Sequence, residues 1–156
     1  MFRMSSTAAS PTAEDPIAKS IVWSALAIVA ALVLGVGPVS STVLHHIVQT
    51  APYWLVIACR RRRWAAWFAL ACFVFWLIIM AAIWAFLLHL PSFVSGHFSP
   101  VEVAMTILCG IASLIGIAAA IRTRTRWPLA LAAFAGGAAA QFAAFRISQI
   151  PFIWKH

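Results

Sequence analysis

Apolar residues along this chain fall into long runs separated by short polar segments. A helix rises 1.5 Å per residue, so about 20 apolar residues cross a bilayer core of about 30 Å. The pattern predicts an all-α integral membrane protein, with a transmembrane domain at 21–150 between a flexible N-terminal tail at 1–20 and a C-terminal tail at 151–156. The predicted spans of this bundle are about 21–36, 42–59, 65–90, 101–121 and 128–150.

The stretch at 42–59 is ambiguous, because its apolar pattern is interrupted. As one helix it would rise about 27 Å, just enough for a crossing. Polar residues and a proline between His45 and Pro52 weaken it as a span, whereas Tyr53 to Cys59 is strongly apolar. We expect five transmembrane helices. The alternative is four spans plus an amphipathic helix that lies on the membrane surface at 42–59.

Positive charge favours five spans, because lysine and arginine are retained in cytoplasmic loops. With five spans and the N-terminus inside, only Arg146 and Lys155 of the basic residues lie outside. With four spans, Arg3 and Lys19 also move outside. The basic residues on the cytoplasmic side of the five-span arrangement are Arg3, Lys19, Arg60, Arg61, Arg62, Arg63, Arg122, Arg124 and Arg126.

Composition supports this class of protein. Hydrophobic residues make up 64% of the 156 positions and charged residues 9%, against about 25% charged in soluble domains. The net charge of +8 is therefore explained by topology and lipid rather than by nucleic acid. Juxtamembrane arginines attract anionic headgroups, so the expected headgroup-binding residues are the two loop clusters. They are Arg60, Arg61, Arg62 and Arg63, and Arg122, Arg124 and Arg126.

Local signals predict two helix starts, and they predict two buried polar residues, Glu102 and Gln141. Asp15 before Pro16 favours a helix that begins near Pro16. Ser99 and Glu102 have the spacing of a capping box, although Glu102 could instead form a rim site with His97 or His89. Gln141 lies deep in the last span, and we expect it to hydrogen-bond across helices or, alternatively, to meet a ligand headgroup.

Small residues four positions apart predict where helices approach each other. We expect the last two spans to pack closely through these rows, or to present them to another chain. The aromatic third span, by contrast, is predicted to face lipid or a partner. The predicted packing residues are Ala112, Gly116 and Ala120 on one span, and Ala132, Gly136, Ala140 and Ala144 on the next.

The histidines are the candidate ligands. In the five-span arrangement His45, His46, His89 and His97 all fall at the non-cytoplasmic rim, where they could hold haem or a metal ion. We expect instead that histidine simply tolerates this polar interface and that no cofactor binds, with haem or a metal ion as the alternative. The cysteines are isolated and indicate neither a disulfide framework nor a zinc site.

Three acidic residues and the lack of nucleotide, hydrolase or metalloprotease motifs argue against an enzyme. We expect a multi-pass protein of a bacterial inner membrane that acts as an accessory subunit. Its partners would be a larger membrane complex or further copies of itself, together with anionic lipid. The alternatives are a haem- or metal-binding membrane protein and a small oligomeric transporter.

Overall fold

The computed structural model of the protein describes residues 15–40, 42–90 and 96–150; the predicted C-terminal tail and positions 1–14 lie outside this range. Within it, every regular element is helical, which confirms the all-α class. The elements are α1 (Pro16–Ala30), a π-helical segment (Ala31–Val36), α2 (Gly37–Ser40), α3 (Val43–Gln49), α4 (Ala51–Ala58), α5 (Arg63–Leu87), α6 (Pro100–Ala120) and α7 (Trp127–Ser148).

Four stretches are long and apolar enough to cross a membrane: Pro16–Val36, Arg63–Leu87, Pro100–Ala120 and Trp127–Ser148. This agrees with a helical membrane protein. The fifth predicted span is not confirmed as one helix, because the stretch at 42–59 forms the two short helices α3 and α4.

The first helix begins earlier than the predicted span. The Asp15 carboxylate accepts a hydrogen bond of 3.0 Å from the Ile17 N–H, and Pro16 occupies the first helical position, where a missing N–H costs nothing. Helix α1 thus includes Pro16 to Ser20 and begins where the Asp15–Pro16 pair predicts. At its other end the helix widens, and the Gly37 N–H donates to the Leu32 carbonyl five residues back.

The aromatic helix α5 is the centre of the bundle and packs against both α6 and α7. Phe68, Phe73 and Trp76 are buried. The expectation that this helix turns its aromatic side chains toward lipid or a partner is wrong for these three. Their large surfaces fill the space between the neighbouring helices.

The predicted close pair of α6 and α7 does not form. Helix α6 packs against α1 and α5, whereas α7 packs against α5, α3 and α4. Ala112, Gly116 and Ala120 are buried, but they face other helices than α7. Four-residue spacing identifies a helix face of small residues, but it does not tell which neighbouring helix packs against that face.

The small-residue row predicted on α7 is also off by one position over much of its length. Ala132 and Gly136 are exposed, and Ala140 is half-buried. Ala144 is buried, and the other buried members of this face belong to the neighbouring row, Ala133, Gly137 and Gln141. Successive helical positions differ by about 100°, so a shift of one residue moves the contact to another face.

Two glycines allow α5 to lie close to its neighbours. A Cβ atom at Gly137 would fall on the Phe68 carbonyl oxygen of α5. A Cβ atom at Gly116 on α6 would lie 2.5 Å from the Phe73 ring. Close backbone approach of this kind replaces the hydrophobic force that is missing between helices in lipid.

The bundle has two distinct ends. At the arginine end (Asp15, Arg60, Arg61, Arg62, Arg63 and Thr123) the start of α1 meets both basic loops, and Trp67 Nε1 donates to the Thr123 carbonyl over 3.2 Å. At the histidine end (Gly35, His45, Met105 and Ser148) the end of the first helix lies by α6, and α3 meets the end of α7. The segment formed by α3 and α4 therefore runs from one end of the bundle to the other.

Adjacent glycines on α7 provide a matched test of this packing. Gly137→Ala should lower the free energy of unfolding by about 1–3 kcal/mol, because the methyl group meets a backbone carbonyl that cannot move alone. Gly136→Ala should leave it unchanged or raise it by up to about 1 kcal/mol, since a Cβ there has no atom within 4 Å. Unfolding in mixed detergent micelles measures both. Equal effects of the two substitutions would contradict the assigned face.

Candidate functional site

Polar side chains are buried together where α3 meets α7. His45, Gln49, Gln141 and Ser148 are each at most 4% exposed. His45 and Gln49 come from α3, and Gln141 and Ser148 come from α7. In an apolar bundle, a buried polar group that lacks a hydrogen-bond partner destabilises the folded state. These four residues and His46 are called the polar network below.

The break between α3 and α4 has a local chemical cause. Pro52 lacks the N–H that would continue the helical ladder, and Thr50 ends α3 with φ −89° and ψ −2°. The Tyr53 N–H donates to the Thr50 carbonyl at 3.0 Å, although a regular helix would direct it to Gln49. The break thus removes the helical partner of the Gln49 carbonyl.

Gln141 replaces that partner from the neighbouring helix. Its Nε2 donates to the Gln49 carbonyl oxygen over 3.0 Å, and its side chain is completely buried. Its other polar atom, Oε1, is buried without a hydrogen-bond partner among the described residues. The deep polar residue of α7 therefore hydrogen-bonds across helices to backbone, at the point where the proline opens α3.

The remaining hydrogen bonds of the polar network fix the histidine tautomers. The Ser148 carbonyl can only accept, so His45 Nδ1 donates to it over 2.8 Å. Gln49 Nε2 donates to His45 Nε2 over 2.8 Å. Gln49 Oε1 in turn accepts from His46 Nδ1 over 3.2 Å. A neutral His45, with its proton on Nδ1, satisfies this chain of bonds.

The other two candidate ligand histidines stay outside the polar network. His97 is exposed in the connection before α6. His89 is exposed and closes α5 with a φ of 59°, while the Leu90 N–H donates to the Ala85 carbonyl and the His89 N–H to Phe86. This is the Schellman motif, in which the residue after the helix adopts a left-handed backbone conformation. His89 therefore has a backbone role that needs no ligand.

The described histidines do not gather into a cluster of metal ligands. Both ring nitrogens of His45 are engaged, so coordination would break a buried hydrogen bond. Among the residues that the structure describes, no group of three or more histidine, cysteine or acidic side chains could hold a metal ion. No specific observation therefore favours the cofactor alternative.

Glu102 is held by its own helix start. Ser99 Oγ accepts from the Glu102 N–H at 3.2 Å, and the Ser99 N–H donates to the Glu102 carboxylate at 2.7 Å. The capping box is therefore formed as its spacing predicts, and Glu102 is half-buried rather than enclosed. These bonds account for the carboxylate without pairing it to His89 or His97.

The two arginine clusters occupy the same end of the bundle but differ in shape. Arg60, Arg61, Arg62 and Arg63 are exposed around a tight turn in which the Arg62 N–H donates to the Cys59 carbonyl at 2.8 Å. Arg122, Arg124 and Arg126 are exposed between α6 and α7. Thr125 Oγ1 reaches the Arg63 carbonyl at 3.5 Å, which brings the loops together.

The roles of Gln49 and Ser148 were not predicted from the sequence. One signal was present for Gln49, which is four residues after His45 and therefore on the same helical face. It also lies three residues before Pro52, where the helical ladder is interrupted. Ser148 contributes a backbone carbonyl, and side-chain identity gives no hint of such a role.

Comparison with known proteins identifies no relatives. No protein-family model, curated protein or solved structure matches the chain. Its function is therefore inferred from its own residues and their geometry.

A double-mutant cycle tests the cause of the cross-helix bond. Gln141→Leu should lower the free energy of unfolding by about 0.6–2 kcal/mol, because the Gln49 carbonyl is left unpaired in the core. In a Pro52→Ala background the same substitution should be less costly, since an unbroken helix can return the Tyr53 N–H to Gln49. Gln149→Leu, at an exposed amide on the end of α7, is the control and should change stability by less than about 0.5 kcal/mol. The same loss in both backgrounds would contradict the link between the proline and Gln141.

Proposed function

We propose that this chain is a small non-enzymatic membrane protein that acts as an accessory or structural subunit. It packs its helices against a larger membrane complex or against a second copy of itself. The observation that supports this role is the outer face of α7, where small residues are exposed in the helix that the bundle covers least.

The outer face of α7 consists of five small residues and is opposite to its buried face. Ala132, Ala135, Gly136, Ala139 and Ala143 are all exposed. Their spacing of three and four places them within one narrow sector of the helix. Only 28% of the apolar window of α7 is buried, against 39% for each of the other three long stretches.

The outer face of α6 has a different chemistry. Four large aliphatic side chains on this face are 40–55% exposed, beside two exposed alanines, Ala104 and Ala118. The four are Leu108, Ile111, Leu114 and Ile115. Bulky aliphatic side chains fit against lipid tails, whereas alanine and glycine allow another backbone to approach. The contrast favours lipid against α6 and a helix against α7.

The edges of the α7 outer face also suit a docked helix. Leu129 and Ile147 lie on one side of the small residues, and Leu131 and Phe142 lie on the other. A partner helix can therefore rest on the small residues while the larger side chains pack around it. Arg146 extends this face into the last turn, where a positive charge is favourable near the helix C-terminus.

The topology that suits this role has five crossings. The segment from Val43 to Ala58 begins at the histidine end and finishes at the arginine end, as a span with a proline break would. The start of α1 lies with both arginine loops, which supports a topology with all three on one side of the membrane. The excess of basic residues assigns that side to the cytoplasm.

The proposed location is a bacterial inner membrane. Strong retention of basic residues on one side is a property of multi-pass proteins whose cytoplasmic loops are short. The abundance of alanine, arginine and tryptophan also suits a bacterial source.

A pair of identical substitutions separates docking from general helix damage. A Cβ atom at Gly136 of α7 or at Gly110 of α6 meets nothing within 4 Å, so a side chain can start at either site without touching the rest of the chain. Gly136→Leu should reduce the amount of partner chain that copurifies from native membranes by about tenfold, because the new side chain blocks backbone approach. Gly110→Leu should leave the recovered amount within about twofold.

Cross-linking identifies the partner in the same membranes. A cysteine at position 136 should form a cross-link to another chain, and the mass of the product distinguishes a second copy from a different subunit. Equal recovery of the partner chain with the two leucine variants, together with no cross-link from position 136, would refute the proposed role.

A further inference from the structure

We propose that the cleft between α1 and the first arginine cluster is a binding site for one anionic phospholipid. The cleft has a volume of about 970 Å³ and lies at the arginine end. Its walls come from α1, from α4 and from the start of α5. The sequence predicts headgroup binding at both arginine clusters, and this proposal assigns one lipid to a defined cleft beside the first cluster.

Positive charge is concentrated at the mouth of the cleft. Lys19 and the four consecutive arginines, Arg60 to Arg63, line it. Asp15 is the one acidic residue among the described residues that line it. A guanidinium group presents paired N–H donors that match two phosphate oxygens, so a cluster of this kind recognises a phosphate group.

The inner walls of the cleft are apolar. Ile21, Val22 and Leu26 continue along α1, and Val56 faces them from α4. From Asp15 to Leu26 the helix rises about 16 Å, close to half of a bilayer core of about 30 Å. The cleft thus has the polarity profile of one membrane leaflet, with a basic mouth and an apolar wall of acyl-chain depth.

Backbone hydrogen bonds fix the conformation of the loop that carries the first arginine cluster. The Arg60 N–H donates to the Ile57 carbonyl at 3.4 Å, and the Arg62 N–H donates to the Cys59 carbonyl at 2.8 Å. These turns bring consecutive arginines around the same opening. Basic pockets between transmembrane helices on the cytoplasmic side are a known arrangement for anionic lipid headgroups.

The second arginine cluster provides an internal comparison. Arg122, Arg124 and Arg126 carry similar charge at the same end of the bundle, but Thr123 is the residue of that loop that lines the cleft. The sequence alone predicts the same headgroup-binding role for both clusters. The cleft distinguishes them, because only the first combines charge with an apolar wall.

The test compares equal losses of charge at the two clusters. The full chain is purified in a neutral detergent and titrated with phosphatidylglycerol or phosphatidylcholine, and bound lipid is counted by native mass spectrometry. One phosphatidylglycerol should bind in preference to phosphatidylcholine. The double substitution Arg60→Gln with Arg62→Gln should weaken that binding about 30-fold, whereas Arg122→Gln with Arg124→Gln should weaken it less than about fivefold.

Two further arms distinguish a lipid from a free phosphate. Glycerol phosphate carries the same charged group without acyl chains and should not displace phosphatidylglycerol at a hundredfold excess. Val22→Trp places a large side chain in the apolar part of the cleft. It should weaken phosphatidylglycerol binding while the circular dichroism of the helices stays unchanged. Equal weakening by the two arginine pairs, or displacement by glycerol phosphate, would overturn the proposal. Neither result bears on docking through α7, which the Gly136 and Gly110 variants test separately.

Discussion

Backbone groups inside an apolar bundle have no water to bond, and this constraint governs the least regular part of the structure. Pro52 interrupts the helical ladder between α3 and α4 and removes the partner of the Gln49 carbonyl. Gln141 satisfies that carbonyl from α7 through a bond of 3.0 Å. The break at Pro52 is thus compensated by the side-chain amide of Gln141. The same hydrogen bond joins the irregular segment of α3 and α4 to the regular helix α7.

The rest of the bundle is arranged around α5. Its buried Phe73 ring lies against Gly116 of α6, and its backbone at Phe68 lies against Gly137 of α7. Large surfaces facing small ones let the helices pack where hydrophobic force between them is weak. This arrangement uses the inner face of α7 and leaves its outer face of small residues open, which is why the proposed role depends on that face. At the arginine end the same packing leaves a cleft beside α1.

Features that depend on neighbouring residues could be predicted from the sequence. The start of α1 at Pro16 and the capping box of Ser99 and Glu102 follow from side chains that reach only two or three positions along the chain. The choice between Gly136 and Gly137 as the packed glycine could not be predicted. They differ by about 100° around the helix, and only the position of α5 decides which one is covered. The polar network was equally out of reach, because Gln49 and Gln141 are 92 residues apart and one of their bonded atoms belongs to the backbone.

Sidedness of single cysteines tests most directly whether the segment from Val43 to Ala58 crosses the membrane. Asp15→Cys, Arg61→Cys and His97→Cys each place a thiol at an exposed position, in a background where Cys59 is replaced by serine and the native Cys72 and Cys109 stay buried. A membrane-impermeant maleimide applied to intact cells should label position 97 and spare positions 15 and 61. Labelling of positions 15 and 97 with protection of 61 would contradict the account, since it would place the two ends of the segment on the same side of the bilayer.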